Sequence, residues 1–310
     1  MKKIIYIVGV LLFAFTACQK EKAKGGHGEE YVARFSVQMP EDVQTKAVAQ
    51  ADFVDIVYYE AWTEDFMTLL FTGSGVVNER IAEIEVALVK DQIYQFIFWA
   101  QNENAASPYS WTDLKKVNVD YTKFTANNKD CYDAFYDVET IEADGEDKVV
   151  RLYRPFAQMN FGSSTMSADF GEFAITSNTV TVSKHAKAFD TIEGRAVDYV
   201  DAPLTFTAST GGLVQSETQD DKDLKVGDGA YYWVAMNYLL VPAEQSTTVT
   251  VDATFTTQIG TVKHKILNVP INKNYRTNIV GDLFTTSSTL KIVIEESFLT
   301  PDENKYFNNL

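Results

Sequence analysis

Side chains with catalytic or metal-binding potential are few and widely separated in this sequence. The three histidines, His27, His185 and His264, lie far apart, and none has a Cys, Asp or Glu at the spacing of a metal site. Cys131 is a potential nucleophile, but two nearby carboxylates, Asp130 and Asp133, disfavour its thiolate. The sequence contains no nucleophile-elbow, P-loop or HExxH motif. We therefore expect a protein that is not an enzyme and that needs neither a metal nor a cofactor.

Two acidic turns are the best candidates for binding a cation. They are DDKDLKVGDG at residues 220–229 and EADGEDK at residues 142–148. Calcium takes roughly six to eight oxygen ligands, and neither turn has the ligand spacing of an EF-hand. Both stretches are interpreted as solvated loops, and calcium binding there is left open.

Exposed aromatic side chains could instead form a platform for a sugar. Tyr109 and Trp111 lie in SPYSWTD, a stretch whose composition predicts an exposed loop. Trp99 and Trp233 lie in apolar, strand-like runs, which predict positions in a core. Tyr109 and Trp111 are therefore the candidate ligand-binding residues.

The N-terminus has the parts of a secretory signal peptide. Lys2 and Lys3 precede a largely apolar run at residues 4–17, about 14 residues long. A membrane-spanning helix needs roughly 20 apolar residues, so the run is too short to be one. Cys18, directly after the small residue Ala17, resembles the lipobox cysteine of bacterial lipoproteins. The resemblance implies cleavage between Ala17 and Cys18 and a lipid on the Cys18 thiol, which would tether the protein to a membrane.

The rest of the composition is that of an acidic globular protein. The formal net charge is −16 at pH 7, and hydrophobic residues make up 45% of the chain. Such a charge repels nucleic acid, so no nucleic-acid partner is expected. With Cys18 lipidated, Cys131 has no partner for an internal disulfide, and large cores must supply the stability. Residues 18–30 are polar and predict a flexible tether.

Alternation of apolar and polar residues dominates the sequence from Tyr31 onward. In YVARFSVQM, at residues 31–39, every second residue is apolar on one face: Tyr31, Ala33, Phe35, Val37 and Met39. TTVTVDATFTT at residues 247–257 alternates in the same way, whereas IYQFIFWA at residues 93–100 is apolar on both faces. These patterns predict an all-β protein made of many short strands, with short helical stretches only, for instance at residues 111–116 and 186–189.

The predicted strands are divided into two tandem antiparallel β-sandwich domains. The acidic turn at residues 142–148 interrupts the strand pattern near the middle of the chain. We place the N-terminal sandwich at residues 31–150 and the C-terminal sandwich at residues 151–298. The last residues, 299–310, predict a polar tail.

Two motifs resemble those of fimbrillin-like surface lipoproteins of Bacteroidales. VVRLYRPFAQMNFG at residues 149–162 resembles the strand that opens their second domain. VPINKNYRTNIVGDLFT at residues 269–285, followed by LKIVIEESF at residues 290–298, resembles their C-terminal signature. The resemblance implies two transthyretin-like Greek-key sandwiches and a lipid anchor at the outer membrane and cell surface. It also implies a subunit, anchor or tip of a type V pilus, or a related adhesin.

In that family a protease specific for Arg or Lys removes the first strand, and the open groove accepts a strand from the next subunit. Residues 31–39 have the required one-sided apolar face, with Tyr31, Phe35, Val37 and Met39 as candidate groove contacts. Arg34 and Lys46 are the candidate processing sites. Cleavage at Lys46, in a loop-like stretch after Pro40, would free the whole strand. Residues 290–298 would be a better donor strand than the polar tail.

Two other functions remain open on sequence grounds. One is a surface lipoprotein that binds a glycan or a host ligand and never polymerises. The other is an enzyme, although no constellation of side chains supports it. The sequence names neither the ligand nor the neighbouring subunits, and possible partners are the membrane, other pilus subunits and a host or glycan ligand.

Overall fold

The protein is all-β, as the sequence predicts. The computed structural model describes residues 29–40, 53–103, 107–124, 130–165, 175–208, 224–244, 246–257, 260–285 and 289–295. No α-helix occurs in these ranges, and the helical residues are Phe53 and the short 3-10 turns Tyr121–Lys123 and Asp130–Tyr132.

Twenty strands form five sheets in these ranges. The strands of the first half are β1 (Glu30–Gln38), β2 (Ile56–Thr63), β3 (Leu69–Val76), β4 (Ile81–Val89), β5 (Ile93–Gln101), β6 (Tyr109–Ser110), β7 (Lys116–Val119), β8 (Phe135–Glu142) and β9 (Lys148–Arg151). Those of the second half are β10 (Ala157–Ser163), β11 (Ile175–Val182), β12 (His185–Asp190), β13 (Arg195–Val200), β14 (Leu204–Ala208), β15 (Leu224–Val226), β16 (Gly229–Leu239), β17 (Ser246–Thr257), β18 (Gly260–Asn272), β19 (Arg276–Gly281) and β20 (Lys291–Glu295).

Two sheets enclose a first hydrophobic core. One has the order β4-β1-β9 and the other β3-β2-β5-β8. The inward residues of β1 and β4 alternate with exposed ones, since successive side chains of a strand point to opposite faces. Phe35 on β1 meets Phe96 on β5, with ring centroids 4.9 Å apart. The alternating strand predicted at residues 31–39 therefore forms part of one sheet of a β-sandwich.

The sheet β3-β2-β5-β8 is covered on both faces at its inner strand β5. Phe96 and Phe98 of β5 lie in the first core, while Ile97 and Trp99 lie in a second, larger core. This explains why residues 93–100 are apolar on both faces of the strand. A four-stranded sheet with the order β13-β12-β7-β6 contributes to the second core, where Phe189 packs edge-on against Tyr136 at 4.5 Å.

The second half of the chain forms another pair of sheets. Their orders are β15-β16-β10-β19-β20 and β14-β11-β17-β18. Phe161 of β10 and Phe255 of β17 meet edge-to-face at 5.7 Å between them. Most strand pairs are antiparallel, but β1–β9 and β10–β19 are parallel.

Both short helical stretches expected from the sequence are absent. Residues 186–189 belong to β12, which pairs with β13 and β7, so long-range strand pairing overrides the local preference. Residues 112–115 form bends and turns, and Lys116 is already the first residue of β7. Because β7 precedes residue 150 and β12 follows it, strand pairing crosses the proposed domain boundary, which stays a proposal.

A buried ion pair joins the two halves of the chain. Arg154, between β9 and β10, donates from Nε to both carboxylate oxygens of Asp133 at 2.7 and 2.8 Å. Both side chains are almost completely buried, at 2% and 0% exposure. The guanidinium also lies over the Phe135 ring at 5.0 Å and the Tyr238 ring at 6.0 Å. Burial raises the pKa of Asp133, and the attraction of Arg154 opposes that shift.

Removing one partner of this pair should destabilise the protein strongly. Arg154→Ala leaves the Asp133 carboxylate buried without its cation, at a cost of about 3–5 kcal/mol. Chemical denaturation followed by tryptophan fluorescence measures the change. Arg34→Ala is the matched control, since it removes an arginine from an exposed pair and should leave the denaturation midpoint unchanged. Equal midpoints for wild type and Arg154→Ala would contradict a structural role of the buried pair.

Candidate functional site: the first-strand groove

The first strand lies inside a sheet instead of at its margin. β1 pairs antiparallel with β4 over nine residues, from Glu30 opposite Val89 to Gln38 opposite Ile81. It also pairs in parallel with β9, from Phe35 opposite Lys148 to Gln38 opposite Arg151. Taking β1 away would leave two strand edges and the space between them. We call that space the first-strand groove.

The inward face of β1 fills the groove with apolar side chains. Ala33, Phe35 and Val37 are at most 1% exposed, and Met39, just after the strand, is 4% exposed. Tyr31 is half-buried at the start of the strand. Full burial of Phe35, Val37 or Met39 stabilises the fold by about 1.5–3 kcal/mol each, as an upper bound. The groove is therefore a strongly apolar slot that needs an occupant.

The outward face of β1 is polar and exposed. Arg34 bonds Glu85 of β4, with 2.9 Å between Nε and Oε1, and Ser36 donates to Glu83 at 3.0 Å. The hydrogen bond to Glu85 raises the pKa of Arg34, so the guanidinium is charged throughout the physiological range. Exposed pairs of this kind contribute little to stability, so the inward face holds the strand.

Arg34 stands where the pairing of β1 changes. Among the described strands, residues 30–34 pair with β4 alone, whereas residues 35–38 pair with both β4 and β9. Cleavage after Arg34 would separate the singly paired half from the half that carries Phe35 and Val37. Lys46 lies outside the described residues, as do His27, Ala17 and Cys18.

The structure buries Tyr109, contrary to the expectation of an exposed loop. Tyr109 lies in β6 at 6% exposure, where its ring meets Trp99 edge-on at 5.3 Å. Its hydroxyl donates to the carbonyl of Tyr132, and burial raises its pKa well above the ordinary value. The pairing of β6 with β7 turns the side chain into the core. A role in contacting a ligand from solution does not fit this position.

Trp111 is half-buried and lies next to another half-buried aromatic ring. Its ring meets Tyr58 of β2 edge-to-face, with centroids 5.2 Å apart. The Tyr58 hydroxyl lies 3.4 Å from Oε1 of Glu103. Burial raises the pKa of Tyr58, and the charge of Glu103 adds to this effect. Tyr58 was not singled out by the sequence, because in β2 it reads as an ordinary strand residue.

A buried carboxylate fixes the segment that carries Trp111. Glu60 of β2, at 4% exposure, accepts from the Leu114 N–H at 2.9 Å and from Trp62 Nε1 at 3.1 Å. Lys115 lies over the Trp62 ring, 3.5 Å from its centroid. Burial raises the pKa of Glu60, and these hydrogen bonds oppose the shift. The one sequence signal was a single acidic residue inside an otherwise uncharged strand, IVYYEAWT.

Two of the histidines and a buried lysine are engaged in structural contacts. His185 Nδ1 lies 3.2 Å from the Ala202 carbonyl oxygen, and His264 Nε2 lies 2.9 Å from that of Leu283. Lys273 donates to the Gly194 carbonyl at 2.5 Å, and burial lowers its pKa to about 8. Cys131 is half-buried in the 3-10 turn Asp130–Tyr132. No group of three or more metal-binding side chains comes together among the described residues.

The candidate donor segment lies at a sheet margin. β20 pairs with β19 alone among the described strands, and all five of its residues are exposed or half-buried. Its last residue, Glu295, accepts from Asn278 Nδ2 at 2.9 Å and from the Gly227 N–H at 3.3 Å. The side chains of β20 are therefore less buried than the inward side chains of β1, and among the described strands β20 has one paired edge instead of two.

Shortening the side chain at the centre of the groove should loosen β1 and its sandwich. Phe35→Ala removes a fully buried ring and should cost about 3–5 kcal/mol of unfolding free energy. Val32→Ala, at a position 52% exposed on the same strand, should change stability by about 0.5 kcal/mol or less. Urea denaturation of both variants makes the comparison. Similar losses from the two substitutions would show that the inward face does not hold the strand.

Comparison with known proteins gives a family and a fold. A structure from Bacteroides ovatus, described as a candidate cell adhesion protein, matches with a TM-score of 0.55 at 9% identity, covering 88% of this chain and all of that one. Two others match at lower scores. The first is a structure from Bacteroides thetaiotaomicron, described as a candidate polysaccharide-binding protein. Its TM-score is 0.48 at 14% sequence identity, and the match covers 88% of this chain and 99% of that one. The second is the tip fimbrial protein Mfa3 of Porphyromonas gingivalis with a C-terminal truncation; its TM-score is 0.46 at 9% identity, covering 86% and 99% of the two chains.

At these identities the first match shows a shared fold. No curated protein matches the sequence. Within the described residues, no helix has the length and apolar character needed to cross a membrane. The family model that matches covers residues 25–309, nearly the whole sequence. The chain therefore belongs to DUF6562, a family of unknown function.

Proposed function

We propose that this protein is a non-enzymatic surface protein of the fimbrial or adhesin type, serving as a subunit, anchor or tip of a pilus. The observation that carries the proposal is the first-strand groove, in which Phe35 and Val37 are fully buried between two sheets. The fold shared with the Bacteroides ovatus structure, described as a candidate cell adhesion protein, supports it. The fimbrillin-like motifs at residues 149–162 and 269–285 agree with the same assignment.

The proposed location is the outer membrane, with the protein exposed at the cell surface. Its basis is the signal-peptide pattern that ends at Cys18, whose thiol would carry the lipid. The polar stretch that precedes β1 would tether the folded part a short distance from the membrane. A chain that keeps its lipid suits the base of a fibre or an adhesin attached singly, whereas cleavage at Lys46 would separate the folded part from Cys18 and its lipid.

Assembly would begin with cleavage at Lys46. That cut would free β1 as a whole, whereas a cut at Arg34 would leave its doubly paired half in the groove. Loss of β1 would expose the apolar core and the edges of β4 and β9, which are costly to leave open. A strand from the next subunit could then enter by β-strand addition and restore both the backbone hydrogen bonds and the apolar contacts.

The donor would be β20 of the next subunit. β20 pairs on one side only among the described strands, and Ile294 is already 42% exposed. Releasing it therefore costs less apolar burial than releasing β1. If β20 stays in its sheet, the subunit accepts a strand but donates none, and the protein terminates a fibre.

Limited digestion of the purified mature protein with a Lys- and Arg-specific protease tests this proposal. We expect loss of an N-terminal fragment that contains β1, followed by a ladder of oligomers that resist SDS. Lys46→Gln should abolish the ladder, and Arg34→Gln should not. An excess of synthetic peptide of residues 29–40 should suppress the ladder by refilling the groove, whereas the same peptide with Phe35→Ala should not. A monomer that keeps β1 after cleavage at Lys46 would contradict the proposal.

The alternative is a non-polymerising protein that binds a glycan or host ligand. The observation that favours it is the half-buried pair Trp111 and Tyr58 beside the exposed carboxylate Glu103. An aromatic ring next to a carboxylate and a hydroxyl offers both stacking and hydrogen bonding to a sugar. Tyr109 has no part in this surface, because it is buried.

Binding to a glycan array tests the alternative. Trp111→Ala should weaken binding of any glycan that the wild type retains by about 2- to 12-fold, since aromatic contacts are worth about 0.5–1.5 kcal/mol. Tyr199→Ala is the matched control, because Tyr199 is an aromatic residue on β13 that is 50% exposed. Unchanged binding by Trp111→Ala, or equal weakening by both variants, would rule out this surface.

A further inference from the structure

β3 is a terminal strand with an open side. Among the described strands it pairs with β2 alone, from Ile56 opposite Val76 to Trp62 opposite Leu69. The sheet order β3-β2-β5-β8 places it at the margin. A β-bulge lies near Leu69 and Leu70, at the start of the strand, and the pairing of residues 71–76 is regular. A terminal strand of this kind presents backbone N–H and C=O groups to another strand.

Apart from the bulge at its start, β3 lacks the charged side chains, the proline and the short length that usually block such pairing. Residues 66–78 carry no charged side chain and no proline, although 23% of the whole chain is charged. Seven terminal strands, β4, β8, β9, β13, β15, β18 and β20, each contain at least one charged residue. β6 has only two residues, and β14, with five residues, follows Pro203. β3 is therefore the longest uncharged terminal strand in the described part of the chain.

The two faces of β3 differ in a way that leaves its outer face accessible. Gly73 and Gly75 point inward, where an added Cβ would collide with Tyr59 and Ile84 respectively. These contacts hold the strand against the first core. The other face carries exposed apolar and hydroxyl side chains: Leu70, Thr72, Ser74 and Val76, of which Leu70 is 44% and Val76 66% exposed. Met67, just before the strand, is 77% exposed.

We propose that β3 pairs antiparallel with β3 of a second copy of this chain, about a two-fold axis at Gly73. In this register Thr72 of each copy faces Ser74 of the other, and Leu70 faces Val76. Residues directly opposite in an antiparallel pair share a face. One contact therefore joins two hydroxyl side chains, and the other joins two aliphatic side chains. The two four-stranded sheets become one continuous eight-stranded sheet through an isologous interface.

The absence of charge on β3 permits a second copy as the occupant, and the self-complementary register selects it. The chain carries a net charge of −16, so two copies repel one another wherever their charged surfaces meet. The uncharged run at residues 66–78 lets two copies approach without opposed carboxylates. In the proposed register Glu79 faces Met67 of the other copy, and Arg80 lies at the same end as its Asp65. This association needs no proteolysis and leaves the first-strand groove occupied, so it is independent of strand exchange.

Sedimentation velocity of the intact mature protein over a range of concentrations tests the proposal. The wild type should show a reversible monomer–dimer equilibrium. Thr72→Lys places a lysine on the exposed face of each β3 and should raise the dissociation constant of the dimer by about tenfold or more. Thr207→Lys puts the same substitution on an exposed position of β14, the other uncharged terminal strand longer than two residues, and should leave the equilibrium unchanged.

The register can be tested with an engineered disulfide. In a Cys131→Ser background, the pair Thr72→Cys and Ser74→Cys should form an intermolecular disulfide under mild oxidation. A Thr72→Cys single variant should cross-link much less, because the two copies of residue 72 lie diagonally across the pair. A wild type that stays monomeric at all concentrations would overturn the proposal, as would a dimer that Thr72→Lys leaves intact. Loss of the dimer in Thr207→Lys with retention in Thr72→Lys would assign the interface to β14 and equally overturn it.

Discussion

The burial of the inward face of β1 is the interaction on which the first sandwich depends. Phe35 lies between Phe96 and Phe98, at 4.9 and 6.0 Å between ring centroids, and its side chain is fully buried. The strand is held by apolar contacts on one side and by backbone pairing with β4 and β9 along its edges. The proposed strand exchange relies on these two interactions, since a strand from another chain could supply both of them.

The rest of the molecule is built around a sheet with two buried faces. β5 sends Phe96 and Phe98 into the first core and Ile97 and Trp99 into the second. The Arg154–Asp133 ion pair, buried near Tyr238, ties the segment before β8 to the start of the second half. The first-strand groove lies in the sheet β4-β1-β9, which packs against this doubly buried sheet across the first core. That packing gives a physical reason why the first sandwich could survive the exchange of one of its strands.

Prediction from the sequence is most accurate where the apolar pattern within a single strand determines which of its faces are buried. The alternation in β1 and the two-sided apolar pattern of β5 both follow from side-chain period and burial, and the structure contains both. Local patterns mislead at residues 186–189, where pairing with β7 and β13 decides the strand. They mislead again at Tyr109, because a polar, proline-containing stretch reads as a surface loop although pairing with β7 directs the ring inward.

Features that depend on distant partners lie beyond sequence reasoning. Glu60 binds the Leu114 N–H 54 residues away, and Asp133 meets Arg154 21 residues away. Whether an uncharged strand such as β3 is central or terminal follows only from the order of strands in the sheet. In each case the sequence shows the residue type, but the partner of the residue or the position of the strand is determined by the fold.

Hydrogen exchange of the backbone amides in β1 tests the central claim most directly. If the inward face holds the strand, the amides of residues 35–38, paired on both sides, should be protected as strongly as those of β5 in the intact protein. After removal of β1, the amides of β4 and β9 should exchange rapidly while those of β16 and β17 stay protected. Fast exchange throughout β1 in the intact protein, or unchanged protection of β4 and β9 once it is gone, would contradict the account.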